Sequence, residues 1–192
     1  MRKLIVSDYV SLDGFIAGPD GEIDWFVWDE EMAEYSRDLL SSIDTLLFGR
    51  VTYDVMAGYW LAASPPTEDP IIIDAMNNLP KIVFPRTLER ADWKNTALVK
   101  QINKEEILKM KQSRQGQDKD MVIFGSGSLV SAFSRLGLID EYQIIVNPVV
   151  LGRGKPLFKD IRERINLKLL KTKTFSSNGN VVLYYAQAEK LK

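Results

Sequence analysis

Three short apolar runs in this chain each end in a turn that is suited to holding phosphate. They occupy residues 45–50, 81–87 and 121–128. Glycine lets backbone N–H groups approach a phosphate closely, a helix N-terminus adds favourable dipole charge, and arginine adds a bidentate pair of donors. Because all three turns occur in one small chain, they predict a sheet whose strand ends line up along one long anionic ligand, a nucleotide cofactor.

The composition narrows the chemistry that is available. The 192 residues include neither cysteine nor histidine. Without cysteine there are no disulfides, no thiol catalysis and no thiolate metal site. Without histidine there is no Ser-His-Asp triad and the commonest metal ligand is missing. No acidic loop has calcium-binding spacing, so we expect no metal.

Net charge and hydropathy limit the classes of partner that we expect for this chain. A net charge of −1 gives no electrostatic reason to expect nucleic acid or an anionic membrane. No apolar stretch approaches membrane-spanning length, and the six residues before polar Ser7 and Asp8 are too few for a signal peptide. We therefore expect one cytoplasmic domain over residues 1–192, an enzyme or binding protein for a small molecule.

The hydrophobic pattern predicts alternating strands and helices, followed by antiparallel strands at the end of the chain. This order indicates an α/β fold, a three-layer α/β/α sandwich whose mostly parallel sheet has an antiparallel C-terminal strand. The antiparallel region offers an apolar face, which favours a homodimer. Residues 7–24 are predicted to be irregular, and residues 112–120 a polar connection. The predicted strands are 4–6, 44–49, 81–85, 96–100, 121–124, 140–147, 165–175 and 181–188, and the predicted helices are 29–42, 50–57, 71–78, 103–113 and one from the turn at 125–128 to about 136.

The turn Gly125-Ser126-Gly127-Ser128 follows a predicted strand and opens a helix. That context suits a pyrophosphate at a helix N-terminus, although such a turn can equally serve only to cap the helix. Val130 occupies the third glycine position of a dinucleotide fingerprint, which disfavours a standard Rossmann domain.

Two arginines follow the other strand ends. Arg50 comes directly after Gly49 in the first turn of a predicted helix, where a positive charge is unfavourable unless an anion lies nearby. A solvated arginine is the alternative. Arg86 and Thr87 follow the strand predicted at 81–85, and a guanidinium beside a hydroxyl suits the 2′-phosphate that distinguishes NADP from NAD.

Candidate proton donors and substrate contacts lie in two loops. A carboxylate in an aromatic-lined cleft can have a raised pKa, which makes Asp13 and Asp24 candidates, with Asp13 favoured. The alternatives are a simple Asp-Gly turn for Asp13 and a cap for Asp24. Trp25 can line a ring-shaped ligand or pack in the core. Arg153 and Lys155, in a glycine-rich loop, can hold a substrate phosphate or belong to a flexible loop.

In order along the chain, these pieces resemble the dihydrofolate reductase superfamily, and within it the C-terminal reductase domain of bifunctional riboflavin-biosynthesis enzymes more than dihydrofolate reductase itself. The resemblance covers nearly the whole chain, and its motifs are fairly specific when taken together. It implies a mostly parallel sheet flanked by helices, with NADPH lying across the strand ends. The segments that carry it are 11–17, 47–53, 81–84, 124–129 and 148–154.

The resemblance also implies roles by position. It implies that Asp13 lies near the nicotinamide and the substrate. It assigns the adenosine 2′-phosphate region to Arg86 and Thr87. The remaining residues that it assigns to the cofactor are Gly49, Arg50, Thr52, Phe84, Gly125, Ser126, Gly127, Ser128 and Leu129.

Our leading hypothesis is an NADPH-dependent reductase of a flat heterocycle or a pyrimidine–ribityl type substrate. Hydride would pass from the nicotinamide C4 to a C=N or C=O carbon, and Asp13, or a water that it holds, would supply the proton. A nucleotide-binding protein without turnover is the alternative, and nothing in the sequence separates these two. A partner-binding domain that uses the C-terminal hairpin edge is disfavoured by Arg50 and Arg86 at strand ends.

Overall fold

The computed structural model describes residues 1–112 and 119–188. Within them, ten strands and five helices follow one another along the chain. In order they are β1 (Leu4–Ser11), β2 (Phe15–Ala17), α1 (Glu30–Ser42), β3 (Ile43–Gly49), α2 (Arg50–Trp60), α3 (Pro70–Asn78), β4 (Lys81–Phe84), β5 (Thr96–Leu98), α4 (Lys104–Gln112), β6 (Asp120–Ile123), α5 (Gly127–Arg135), β7 (Glu141–Asn147), β8 (Lys155–Pro156), β9 (Leu167–Thr174) and β10 (Val181–Gln187).

Eight of the strands form one sheet in the order β5-β4-β3-β6-β1-β7-β10-β9. The first six are parallel, and β10 is antiparallel to both of its neighbours. Buried residues of α1, α2 and α3 pack on one face of the sheet, and those of α4 and α5 pack on the other. The predicted three-layer α/β/α fold is therefore confirmed.

Local sequence explains where the helices of the first face begin. The carboxylate of Asp29 accepts a hydrogen bond from the N–H of Met32 at the start of α1. Asp69 does the same for the first turn of α3, where Pro70 occupies a position that needs no N–H donor. Asp29, rather than Asp24, is thus the helix cap that follows the long first loop.

The central strand β1 is longer than predicted. Its hydrogen-bonded register with β7 continues from Ile5 to Ser11, so residues 7–11 of the segment predicted to be irregular are strand. The pattern failed there because polar residues replace the apolar run after Val6, although β1 lies in the middle of the sheet. Helix α2 also continues three residues beyond its predicted end, to the buried Trp60. Residues 113–118, most of the predicted polar connection, lie outside the described part.

The chain connections leave a crevice between β6 and β1. From β1 the chain passes through α1 to β3 on one side of the pair, whereas from β6 it passes through α5 to β7 on the other. In open α/β sheets, ligands bind outside the carboxyl ends of the strands at such a switch point. The topology therefore places the expected ligand edge at the ends of β3, β6 and β1.

In the described ranges, no helix has both the length and the apolar character needed to cross a bilayer. The cytoplasmic location stays a prediction.

Candidate active site

The three predicted turns lie side by side at this edge. Strand β3 is flanked by β4 and β6, in registers that bring Gly49 opposite Phe84 and Leu47 opposite Ile123. The N–H of Gly49 also donates to the carbonyl of Gly125, with an N–O distance of 3.3 Å. The segments nominated for the cofactor are therefore neighbours in space.

Close approach explains two of the glycines. A Cβ on Gly49 would collide with the Oγ of Ser126. Gly125 has a φ of +58°, and a Cβ there would lie 3.0 Å from the Oγ1 of Thr52. These contacts pack the first turn of α2 directly against the turn that links β6 to α5.

Two helices begin at this edge without a side-chain cap. Gly49 is the N-cap of α2 and Ser126 is the N-cap of α5, and within the described residues no side-chain hydrogen bond caps either helix. First-turn N–H groups lack partners inside their helix and carry partial positive charge. Two such helix starts side by side suit a diphosphate, so the residues present fit the pyrophosphate of a dinucleotide.

Arg50 is exposed at the start of α2, and its Nη1 donates to the Oδ2 of Asp54 at 2.7 Å. Both side chains are nearly half exposed, and an exposed pair one turn apart on a helix contributes only about 0.3–0.5 kcal/mol. A bound anion can therefore compete for this guanidinium.

The other candidate cofactor residues differ in what they can offer. Arg86 and Thr87 are exposed just beyond the end of β4. The Phe84 ring packs edge-on against Phe133, with ring centroids 5.4 Å apart, so its contact lies within the protein.

In α5, the hydroxyls of Ser126 and Ser128 lie 2.9 Å apart. The side chains of Gly127 and Leu129 offer a ligand little, because Gly127 has none and that of Leu129 is buried. Both residues would contribute through their backbone.

The Asp13 carboxylate links the loop that follows β1 to the loop that follows β7 through hydrogen bonds. Its Oδ1 accepts from the Ser11 hydroxyl at 2.7 Å and from the N–H of Leu151 at 3.1 Å, while its Oδ2 accepts from the N–H of Gly152 at 2.7 Å. The Ser11 hydrogen bond, followed by those from the Gly152 and Leu151 N–H groups, lowers the pKa of Asp13. The expected raised pKa is wrong for this residue, because hydrogen-bond donors surround the charged form.

The same two loops carry the predicted substrate residues. Strand β8 pairs with β2 in the register Ala17 to Lys155, and the N–H of Leu12 donates to the carbonyl of Val149 at 2.7 Å. Arg153 and Lys155 are both exposed in this clamped region, beside the first loop. They are therefore held near Asp13 rather than on a free loop.

A cluster of aromatic rings packs around Tyr9 of β1. Phe26 stacks on Tyr9 with centroids 4.9 Å apart, and Trp25 meets Phe26 edge-on at 6.0 Å. Trp28 lies 6.5 Å from Tyr9 and is 41% exposed. Trp25 is half-buried and Asp24 beside it is exposed. These rings form an apolar wall next to the first loop.

One polar residue at the crevice escaped the sequence analysis. Asp8 lies on β1 at the switch point, and its Oδ2 is shut off from solvent with no hydrogen-bond partner in the described residues. Burial raises the pKa of Asp8 to about 8, and a hydrogen bond from the backbone of Gly125 opposes this shift. The sequence signal that could have identified Asp8 was a carboxylate two residues beyond a predicted apolar strand, in a chain without histidine.

Comparison with known proteins agrees with this architecture. The chain is 39% identical over 184 residues to the uncharacterized protein YyaP of Bacillus subtilis, covering 96% of this chain and 95% of that protein. The crystal structure of a putative riboflavin biosynthesis protein from Shewanella has a TM-score of 0.74 at 22% identity, with 98% of this chain and all of that chain covered. A dihydrofolate reductase from Enterococcus faecalis complexed with NADP(H) has a TM-score of 0.64 at 16% identity, with 97% of each chain covered.

The fold is thus that of the dihydrofolate reductase-like α/β proteins. Within them, a model of the RibD C-terminal domain matches residues 2–181, and the chain belongs to that family. The resemblance read from the five sequence segments is confirmed.

Proposed function

We propose that this protein is an NADPH-dependent reductase of a small heterocyclic or pyrimidine–ribityl type substrate. The observation that carries the proposal is the pair of uncapped helix starts at Gly49 and Ser126. They pack together at the edge of the sheet where the connections from β1 and β6 leave in opposite directions. When bound, NADPH supplies a hydride from its nicotinamide C4 to a C=N or C=O carbon.

The chain's own residues then have separable tasks. The first turns of α2 and α5 hold the pyrophosphate, with Arg50 and Thr52 beside it. Arg86 and Thr87 hold the 2′-phosphate, because both are exposed beyond β4 and a guanidinium binds a phosphate monoester with two parallel hydrogen bonds. Asp13 positions the substrate loop.

The substrate surface combines two kinds of contact. The wall that contains Trp25 offers an apolar face to a flat ring. Arg153 and Lys155, clamped beside the first loop, offer positive charge to a polar or phosphorylated substituent. This combination supports a substrate of the class of 5-amino-6-(5-phosphoribosylamino)uracil.

Thermal unfolding with NADPH, and with NADH as the control nucleotide, tests the cofactor. Ligand at 100 times its Kd adds about 2.7 kcal/mol to the stability of the native state, which is a rise in Tm of roughly 5–10 °C for a chain of this size. We expect that rise with NADPH and its loss in Arg86→Ala. Arg90→Ala is the matched control, because Arg90 is also exposed but pairs with Asp92 at 2.9 Å.

A nucleotide-binding protein without turnover would show the same rise in Tm. Absorbance at 340 nm separates the two functions when NADPH is mixed with 5-amino-6-(5-phosphoribosylamino)uracil or dihydrofolate. A steady fall in absorbance is expected. Binding without a fall for either probe would favour the nucleotide-binding alternative.

We also infer a homodimer through β9. This strand is at the edge of the sheet, all eight of its residues are exposed, and Leu169 and Leu170 are about half exposed. The unpaired N–H and C=O groups of an exposed edge strand can template pairing with a second copy, and three leucines of β9 add apolar contact beside its three lysines. Sedimentation velocity should give a dimer for the native protein and a monomer for Leu169→Asp; a native monomer would refute the inference.

A further inference from the structure

We propose that Asp8 is a catalytic residue, the group that holds the proton which the substrate receives. This inference rests on the proposed reductase function and deepens it. It replaces Asp13 as the proton source and keeps Asp13 as a positioning residue.

The position of Asp8 in the sheet favours this role. Asp8 is in β1 two residues after Val6, which is in register with Ile123 of β6, so it lies level with Gly125 where the chain leaves the sheet. The Oδ1 of Asp8 is 3.5 Å, and the Oγ1 of Thr52 is 3.0 Å, from the place that a Cβ on Gly125 would occupy. Asp8 is therefore at the crevice, beside the segments proposed to hold the cofactor.

One oxygen of the Asp8 carboxyl lacks a hydrogen-bond partner in the described residues. The Oδ2 of Asp8 is excluded from solvent and has no hydrogen-bond partner in the described part of the chain. An ionised carboxylate that is buried without a partner costs free energy. Burial therefore favours the protonated carboxyl, whose O–H is a hydrogen-bond donor. The side chain is thus set up to give a hydrogen bond to something that enters the crevice.

The surroundings contain little charge to oppose this. In the register of the sheet Asp8 faces Ile144 of β7, and Gly125 and Thr52 approach it from the turn after β6 and from α2. Tyr9, the next residue, projects to the opposite face of the sheet, where it stacks on Phe26.

Charged groups do occur on α2, but they are engaged with each other, since Arg50 pairs with Asp54. Burial and the Gly125 hydrogen bond are the two influences on the Asp8 carboxyl in the described residues. Burial is the larger, so the pKa rises to about 8. An acid with a pKa near the working pH is favoured for proton transfer.

The step balances as follows. When bound, NADPH would supply a hydride to the carbon of the substrate C=N or C=O bond, and the π electron pair of that bond would move to the nitrogen or oxygen. That atom takes the proton from Asp8. The products would be the reduced substrate, NADP⁺ and the Asp8 carboxylate, which would regain its proton from water that enters the crevice after the product leaves.

The first test needs no substrate. Protein labelled with ¹³C at the aspartate carboxyl is titrated by NMR, and Asp8→Asn identifies the Asp8 signal by its loss. We expect the Asp8 carboxyl to titrate with a midpoint above pH 7. A midpoint below pH 7 would overturn the proposal, because the group would be ionised when the reaction needs it protonated.

The second test uses NADPH oxidation with the two probes named above. Asp8→Asn should lower kcat by about 100-fold or more, the contribution typical of a general acid. It should keep the NADPH-induced rise in Tm. Asp38→Asn, which changes an exposed carboxylate on α1, should leave kcat unchanged.

The outcomes separate the two proposals. Native kcat in Asp8→Asn, with normal NADPH binding, refutes the role of Asp8 and leaves the reductase standing. Absence of an NADPH-induced rise in Tm in the native protein refutes the reductase. An NMR midpoint below pH 7 refutes the role of Asp8 even if neither probe is turned over.

Discussion

The buried Asp8 carboxyl should make the stability of the protein depend on pH in a direction opposite to that of most aspartates. Its pKa is about 8 in the folded state, against an ordinary value of 3.8. The folded state therefore binds more protons than the unfolded state between about pH 4 and pH 8. Stability contributed by this group is present at low pH and is lost as pH rises through that window.

The size of the effect follows from the one additional proton that the folded state binds in this pH window. Each pH unit inside the window costs about 1.4 kcal/mol of unfolding free energy, so native protein should lose about 2.7 kcal/mol between pH 5 and pH 7 relative to Asp8→Asn. The asparagine has a similar shape but no titrating proton, so the difference between the two proteins isolates Asp8.

Urea unfolding at pH 5, 6 and 7 measures this difference, with Asp38→Asn as the control for loss of an exposed carboxylate. We expect the native and Asp38→Asn proteins to show the same pH dependence, and Asp8→Asn to become relatively more stable as the pH rises. Parallel curves for native protein and Asp8→Asn would refute the reasoning, because the two states would then bind protons equally at this position.

Three further outcomes are expected. Gly49→Ala should lose the NADPH-induced rise in Tm, because its methyl group displaces Ser126; a native response would contradict the close packing. Asp13→Asn should be cleaved faster than native protein by limited proteolysis within residues 148–154 at pH 7, since the hydrogen bonds to Leu151 and Gly152 lose their charge; equal rates would contradict the clamp. Phe133→Ala should lower the unfolding free energy by about 3–5 kcal/mol in urea, because this ring is fully buried; a loss below 1 kcal/mol would contradict its core position.

The sequence predicted the elements that local patterns specify. Glycine and arginine after apolar runs located the three turns at the sheet edge, and the alternation of strands and helices was enough for the fold class. The helix predicted from residue 29 begins at its cap Asp29, because a cap needs only its own first turn.

The parts that were missed depend on contacts between distant residues. Asp13 was singled out, but its partners Leu151 and Gly152 follow it by 138 and 139 positions, and they lower the pKa that was expected to rise. Asp8 fell within the segment predicted to be irregular, because nothing in the local sequence shows that β1 lies between β6 and β7. The roles of the cofactor and substrate residues stay predictions.

A crystal structure of the protein grown with NADP⁺ tests the central claim most directly. We predict the pyrophosphate at the first turns of α2 and α5, the 2′-phosphate at Arg86 and Thr87, and the nicotinamide at the crevice beside Asp8. Clear density for NADP⁺ at any other surface, or an empty edge at saturating NADP⁺, would contradict the account.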